Sequence, residues 1–166
     1  GSEWGTPSKG IMKIKYENGL YVVRTEPDML WEMECRYRSQ YNDNPTLNHL
    51  TQVRKKASRL AGILGEITFE RLYPTSIPST DLRWDYWYKG KRIDIKCKLR
   101  RVPGNIMQEA SIYEYQFKST KGEVYYFMST MPTFQKVWLC GWIGKQEMIN
   151  HPEAKHWKRN DKDYSN

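Results

Sequence analysis

The sequence is poor in the residues that build covalent or zinc-bound scaffolds. Three cysteines occur in 166 residues, and an odd number without paired spacing argues against a disulfide framework. There is no C-x-x-C or H-E-x-x-H motif, so a zinc site is not expected. Cys97 and Cys140 lie in strand-like patterns and are expected to be core residues.

Long apolar runs, internal repeats and low-complexity linkers are also missing. Without a long apolar run, neither a signal peptide nor a membrane span is expected, and we expect a reducing cytoplasm as the compartment. The lack of a linker predicts one domain over residues 1–166. Gly1-Ser2 is interpreted as a tag-cleavage scar and residues 152–166 as a charged tail.

Positive charge is abundant. The formal net charge is +8 and the sequence pI is about 9.3, which favours a polyanionic partner. This evidence is weak alone, since many basic proteins bind no nucleic acid. Aromatic residues make up 14% of the chain. Most of them alternate at strand spacing and are interpreted as core, so a preference for unpaired bases is not inferred.

Residues 83–98 carry the most informative pattern. Aromatic and β-branched residues alternate with polar ones around Lys89-Gly90, which predicts a β-hairpin with a two-residue turn. This register places Asp85 opposite Asp94. The expected apolar face carries Trp84, Tyr86, Tyr88, Ile93, Ile95 and Cys97. The expected polar face carries Arg83, Asp85, Trp87, Arg92, Asp94, Lys96 and Lys98.

Two carboxylates that face each other across a hairpin repel. Asp85 and Asp94 would have Cβ atoms about 5 Å apart, and a hard divalent cation with oxygen ligands would relieve the repulsion. Lys96 points from the same face. Two carboxylates and a lysine around a metal suit the hydrolysis of phosphodiesters. The alternative is a solvated strand face with weak surface ion pairs.

One long helix is expected over residues 44–73, with Asn44 as N-cap, Pro45 at its first position and Pro74 after its end. Its apolar stripe is Leu50, Val53, Ala57, Leu60, Leu64 and Ile67. Its basic face is Arg54, Lys55, Lys56 and Arg59.

Glu66 lies at the edge of that stripe. A carboxylate there is costly to bury unless it is paired or bound to a metal. The alternative is a boundary glutamate whose tip reaches water, as expected of Glu70. Gly62 and Gly65 each weaken the helix by about 1 kcal/mol relative to alanine. They either allow close approach to a sheet or reflect packing alone.

Other segments complete the expected fold. Two short strands surround Asn18-Gly19 within residues 11–24, and residues 28–40 favour a helix. Residues 99–110 are expected to form a loop around Pro103-Gly104-Asn105. Strands follow at about 112–118, 123–129 and 136–143, and the last is apolar enough to be covered on both faces.

Glu66 on a helix, then Asp85, then Asp94-Ile95-Lys96 resemble the motif of the PD-(D/E)XK nuclease superfamily. Its members carry an acidic residue on the first core helix, an Asp on the second core strand and (D/E)-x-K on the third. The resemblance covers roughly residues 60–140. It implies an α/β (α+β) fold with a central mixed β-sheet flanked by helices, the restriction-endonuclease-like core.

The sequence departs from the motif in two places. Trp84 stands where Pro is common, and Asp94 stands where Glu is commoner. Asp81 is a rival for the first Asp, because it has the same strand parity as Asp85. It lies farther from the turn, opposite Lys98, so Asp85 is preferred.

The resemblance implies a Mg²⁺- or Mn²⁺-dependent deoxyribonuclease and favours an endonuclease. Asp85, Asp94 and the main-chain carbonyl of Ile95 would hold the metal, and Glu66 would bind it through water or complete a second site. Lys96 would position or help deprotonate the attacking water.

DNA, double-stranded or branched, is the expected partner, and a membrane is not. Backbone contacts without base specificity are expected from Lys89, Lys91, Arg92, Lys98, Arg100 and Arg101. Gln116 is an accessory candidate at phosphate or water. Many relatives act as dimers because two strands need two cuts, so a homodimer is one expected assembly. The small size favours a stand-alone enzyme of phage, repair or recombination type, which would act in the host cytoplasm if phage-encoded.

Two other functions compete with the nuclease. The first is a nucleic-acid-binding module without catalysis on the same fold. The second is a small structural protein with a solvated polar face.

Overall fold

The computed structural model describes residues 12–42, 48–106 and 118–150. Its elements are β1 (Ile14–Glu17), β2 (Leu20–Arg24), α1 (Pro27–Gln40), α2 (His49–Leu72), β3 (Ile77–Pro78), β4 (Tyr86–Tyr88), β5 (Lys91–Leu99), β6 (Val124–Thr130), β7 (Lys136–Gly144) and α3 (Lys145–Asn150). None of the helices in this part of the chain is both long enough and apolar enough to cross a membrane.

The seven strands form one mixed sheet in the order β1-β2-β7-β6-β5-β4-β3. Strands β5 and β6 are parallel, and every other neighbouring pair is antiparallel. The fold is therefore α+β, as the sequence predicts. A parallel pair needs a crossover connection. Residues 107–117 of that connection, including the accessory candidate Gln116, lie outside the described residues.

The larger core lies between the sheet and α2. Ile93 and Ile95 of β5 pack in it with Leu64, Ile67 and Phe69 of α2. Because side chains alternate along a strand, the even-numbered residues of β5 point to the opposite face. The side chains of β6 are buried on both faces. The sheet therefore separates α2 from Asp94 and Lys96.

Both predicted two-residue turns are present. Asn18 and Gly19 have φ values of 54° and 83°, and Lys89 and Gly90 have 49° and 76°. Positive φ at both central residues is the type I′ pattern, which matches the twist of a hairpin. The predicted register of the second hairpin is confirmed over its three pairs: Tyr86 with Ile93, Trp87 with Arg92 and Tyr88 with Lys91.

The predicted start of α2 is wrong. The helix begins at His49, and the Asn48 side chain caps it by accepting a 2.9 Å hydrogen bond from the Thr51 amide. Asn44 and Pro45 lie outside the described residues. The first half of the predicted stripe is also not core, since Leu50 is 58% exposed and Val53 49% exposed. The buried part starts at Leu60, because only the C-terminal half of α2 packs in the larger core.

Strand β7 is buried at Val137–Leu139, and its later residues are exposed or partly buried. Phe127 pairs with Gly141 but the next residue, Met128, pairs with Leu139, which leaves Cys140 as the extra residue of a β-bulge. Cys140 is exposed, so its predicted core position is wrong. Cys97 is partly buried and packs against the core.

Of three other predicted elements, two are confirmed and one is contradicted at its C-terminal end. The helix predicted over 28–40 is confirmed as α1, and the strand predicted at 123–129 as β6. Lys118 and Ser119 are helical, contrary to a strand ending at 118. The rest of that predicted strand lies outside the described residues.

Candidate active site at the end of strand β4

The pairing of β4 with β5 stops one residue short of Asp85. The Asp85 amide donates to the Ile93 carbonyl (2.9 Å), and the Asp85 carboxylate accepts a 2.7 Å hydrogen bond from the Ile95 amide. The carboxylate thus replaces the main-chain acceptor that a longer β4 would offer. The predicted direct opposition of Asp85 and Asp94 across the hairpin is therefore wrong, because β4 begins only at Tyr86, one residue after Asp85.

Trp84 also leaves the predicted pattern. It was expected on the face of Tyr86, yet its ring packs edge-on against Trp87, with ring centroids 5.6 Å apart. The reason is the same, since residues before Tyr86 are no longer held in the β4 ladder.

Asp94 is buried on the sheet face away from α2 and is 5% exposed. The Thr120 hydroxyl is hydrogen-bonded to its carboxylate. Gly122 also approaches it closely, and a Cβ built on Gly122 would stand 2.8 Å from Asp94 Oδ2. A side chain at 122 would therefore displace the carboxylate. Sequence reasoning missed both residues, and a turn-rich Ser119–Gly122 stretch just before a strand was the available signal.

Lys96 follows Asp94 on the same face of β5 and is partly buried. Its positive charge acts on both aspartates, because it lowers the pKa of Asp85 and that of Asp94. The structure therefore brings Asp85, Asp94 and Lys96 into one electrostatic neighbourhood.

Burial shifts the pKa values of both aspartates in the direction opposite to the effect of Lys96. Desolvation is the largest influence on Asp85, and with the charge of Asp94 it raises the pKa of Asp85 to about 6. Desolvation also raises the pKa of Asp94, against the hydrogen bond from Thr120 and the charges of Lys96 and Lys145. The cations near these carboxylates thus do not offset the cost of burying their charge.

Glu66 approaches from α2, on the other side of the sheet. Burial, followed by the charge of Asp85, raises its pKa to about 7, although Arg36 acts in the opposite direction. Asp85 is therefore coupled to Glu66 on one side and to Asp94 on the other. Within the described ranges, no three His, Cys, Asp or Glu side chains converge closely enough to form a closed metal site.

Glu70 is partly exposed, but its carboxylate is also held by hydrogen bonds within the protein. Both of its oxygens accept hydrogen bonds of 2.9 Å from the Arg36 guanidinium, and the Tyr86 hydroxyl donates to it as well. This fork links α1, α2 and β4 next to Glu66. Desolvation is the largest single influence on Glu70 and raises its pKa, but the hydrogen bonds from Arg36 and Tyr86, with the charges of Arg36 and Arg71, together hold that pKa below its ordinary value.

Asp81, the rival for the first aspartate, lies in an ion pair with Arg83 at 2.6 Å. Hydrogen bonds from the Arg83 side chain and amide lower the pKa of Asp81 to about 2. No described strand pair places it opposite Lys98. Asp85, and not Asp81, lies beside Asp94 and Lys96.

The predicted DNA-contacting cations are split between the two ends of β5. Lys89 and Lys91 are exposed at the turn end, and Arg101 is exposed beyond the other end. Lys98 is partly buried, and desolvation, followed by the charge of Arg100, lowers its pKa to about 8. These residues therefore do not form a single continuous patch on β5.

A cleft that the sequence did not predict opens beside Asp94. Its volume is about 530 Å³, and it is lined by Arg92, residues 118–123 and residues 144–147. Four lining residues are basic (Arg92, Lys118, Lys121 and Lys145) and two are acidic (Glu123 and Glu147). Thr120 and Gly122 both line the cleft and contact Asp94. Thr120 and Gly122 therefore belong both to the lining of the cleft and to the surroundings of Asp94, which does not itself line the cleft.

Comparison with protein families, with curated proteins and with solved structures gave no match to this chain.

Proposed function

We propose that this protein is a metal-dependent DNA nuclease that hydrolyses phosphodiester bonds by in-line attack of water. The observation that carries the proposal is that the charge of Lys96 acts on both Asp85 and Asp94, beside the start of β4. Nearby cations do not offset the cost of burying these carboxylates, and an amine lies beside them. Such carboxylates can hold a metal ion for the hydrolysis of phosphodiesters.

The order of elements along the chain supports the proposal. Glu66 lies on α2, Asp85 immediately precedes β4, and Asp94 and Lys96 lie on β5. These strands are the second and third after the helix, where the PD-(D/E)XK motif has its Asp and its (D/E)-x-K. A restriction-endonuclease-like core is accordingly part of this proposal.

The donor set fits Mg²⁺ or Mn²⁺. Mg²⁺ keeps several waters and is commonly held by one or two carboxylates together with substrate phosphates, so a closed cage of three acidic side chains is not required. Asp85 and Asp94 would be the carboxylate ligands. The Ile95 amide points to Asp85, and in a strand the carbonyl of the same residue points to the same side, which makes the Ile95 carbonyl a third donor.

Each protein group has a defined task in this mechanism. A bound metal would supply a water of lowered pKa and would neutralise charge on the phosphate oxygens. The Ile95 amide fixes Asp85, and Thr120 and Gly122 fix Asp94. Lys96 holds the attacking water and offsets negative charge at phosphorus. Glu66, with a pKa of about 7, is suited to exchange a proton near neutral pH.

A second candidate is a nucleic-acid-binding module without catalysis. One observation favours it: no three acidic side chains converge in the part of the chain that the structure describes. The basic lining of the cleft serves binding as well as cleavage.

The test is cleavage of supercoiled plasmid and of short duplex, single-stranded, flap and four-way DNA with Mg²⁺, Mn²⁺ or EDTA. Asp94→Asn and Lys96→Met should each lower the rate by at least about 100-fold. The matched controls are Asp81→Asn, which removes a partly buried carboxylate paired with Arg83, and Lys55→Met, which removes an exposed cation of α2.

Cleavage that persists in EDTA, or that Asp94→Asn leaves unchanged, would refute the nuclease assignment. A mobility shift without cleavage of any substrate would select the binding module instead. Equal losses in the Asp81→Asn control would indicate general damage to the hairpin and not a role in chemistry.

A further inference from the structure

The exposed tryptophan of β4 has surroundings that differ from those of a core residue. Trp87 is 39% exposed. It stands directly opposite Arg92 in the β4–β5 pairing, so it lies on the face that also carries Asp94 and Lys96. Asp94 follows Arg92 by two residues, roughly 7 Å along β5. An aromatic surface is therefore open to solvent beside the candidate active site.

Trp84 and Arg92 hold that surface in place. The Trp84 ring packs edge-on against Trp87. The Arg92 guanidinium lies 5.7 Å from the ring centre of Trp84 and 6.0 Å from that of Trp87, within cation–π range. A rigid ring with one open side loses little conformational entropy when a ligand stacks on it.

Arg92 connects the two tryptophans to the cleft. It donates a 2.6 Å hydrogen bond to the Lys121 carbonyl and forms a 2.9 Å ion pair with Glu123. Arg92, Lys121 and Glu123 all line the cleft next to Asp94. An aromatic platform and a mainly basic cleft therefore share one wall.

We infer that Trp87, supported by Trp84 and Arg92, is a stacking platform for an unpaired base of the DNA strand whose backbone enters the cleft. Stacking on aromatic rings beside a basic groove is how proteins hold single-stranded nucleic acid without reading its sequence. The bases of an intact duplex are already stacked on each other, so they gain little from Trp87. The inference deepens the proposed nuclease and rests on it: the preferred substrates are single strands, flaps or frayed ends.

Charge complementarity favours this occupant over a protein partner. The adjoining cleft, whose wall includes Arg92, also carries the cations Lys118, Lys121 and Lys145. Ile77 stands opposite Trp87 in the β3–β4 pairing and is 62% exposed, which extends the platform on its outer side. An apolar platform beside a mainly basic cleft matches a base and its phosphates.

The test measures binding in EDTA, where a metal-dependent enzyme does not cut. Fluorescence anisotropy would give Kd for a labelled single-stranded 20-mer and for a blunt hairpin duplex of related sequence. Trp87→Ala should raise Kd for the single strand about tenfold and change Kd for the duplex by less than about twofold. Trp87→Phe should keep most of the affinity, because it keeps a ring.

The matched control is Trp31→Ala, since Trp31 is 72% exposed on α1; it should leave both Kd values unchanged. Thermal denaturation of each variant would show whether it is folded, and Trp87→Leu, which keeps an apolar side chain without an aromatic ring, serves if Trp87→Ala is not. An equal loss for both ligands, or no loss for the single strand, would overturn the inference.

Failure of this inference can be told from failure of the proposed function. Metal-dependent cleavage together with unchanged single-strand binding by Trp87→Ala rejects the platform and keeps the nuclease. Trp87-dependent binding of the single strand, without cleavage of any DNA, keeps the platform as a binding surface and rejects the nuclease. Absence of binding to either ligand rejects the platform.

Discussion

Two glycines on α2 should respond in opposite ways to the same substitution. A Cβ built on Gly65 would lie 2.5 Å from Cys97 Cβ on β5 and 3.3 Å from Met128 Cε on β6, whereas nothing lies within 4 Å of one built on Gly62. The Cys97 Cβ is fixed to its strand and cannot rotate away. The close approach to the sheet therefore explains Gly65, and packing does not explain Gly62.

The magnitudes follow from these contacts. Alanine is favoured over glycine in a helix by about 1 kcal/mol, so Gly62→Ala should stabilise the protein by roughly that amount. Gly65→Ala gains the same helix preference but forces apart α2 and β5, and overpacking typically costs about 1–3 kcal/mol. The two variants should therefore differ by about 1–3 kcal/mol, with Gly65→Ala the less stable.

Thermal denaturation followed by circular dichroism is the assay. At about 2–4 °C per kcal/mol for a chain of this size, the Tm of Gly65→Ala should lie roughly 2–12 °C below that of Gly62→Ala. Because Gly65 precedes Glu66, the same variant should also lower the rate of DNA cleavage if the proposed function is right. A Gly65→Ala protein as stable as Gly62→Ala would refute the close packing of α2 on β5.

Two further predictions concern charge. Arg36→Met should destabilise the protein by about 1–3 kcal/mol, because it leaves the partly buried Glu70 without its cation; Glu34→Gln, which breaks an exposed 3.8 Å pair, should change the unfolding free energy by less than about 1 kcal/mol in urea denaturation. Glu66 has a folded-state pKa of about 7, above its ordinary value, so in EDTA its ionisation costs stability as pH rises from about 4.5 to 7. Glu66→Gln should therefore gain Tm relative to the unaltered protein between pH 5 and pH 8, and a gain that shrinks over that interval contradicts the burial of Glu66.

Local chemistry made part of the fold predictable. The pairs Asn18-Gly19 and Lys89-Gly90 predict turns, because few residues adopt positive φ at low cost. Each turn then sets the register of the strands that it joins. The apolar half of α2 was predicted equally well, because the 3.6-residue apolar period runs through the whole part of the helix that packs on the sheet. Leu50 and Val53 continue the period beyond that contact, and a periodic pattern alone does not show where the sheet stops.

The sequence predicted which residues form the candidate site but not how they are arranged in space. The motif order identified Asp85, Asp94 and Lys96, yet alternation alone placed the two aspartates in direct opposition. The hydrogen bond from the Ile95 amide to the Asp85 carboxylate competes with continued pairing of β4, and such competition leaves no periodic signal. The Ser119–Gly122 stretch signals a turn, but the contacts of Thr120 and Gly122 with Asp94 join distant parts of the chain, and no local pattern shows that the turn lies against Asp94.

The shortness of β4 is what lets Asp85 interact with carboxylates on both sides of the sheet. Glu66 and Asp94 lie on opposite sides of the sheet, and an unbroken β4 would stand between them. Because β4 begins only at Tyr86, no main-chain acceptor of this strand faces the Ile95 amide. The side-chain carboxylate of Asp85 accepts that hydrogen bond instead, from the edge of the sheet. From that edge Asp85 interacts with both Glu66 and Asp94. A divalent cation bound there would meet carboxylates from both faces, which a regular hairpin would keep apart.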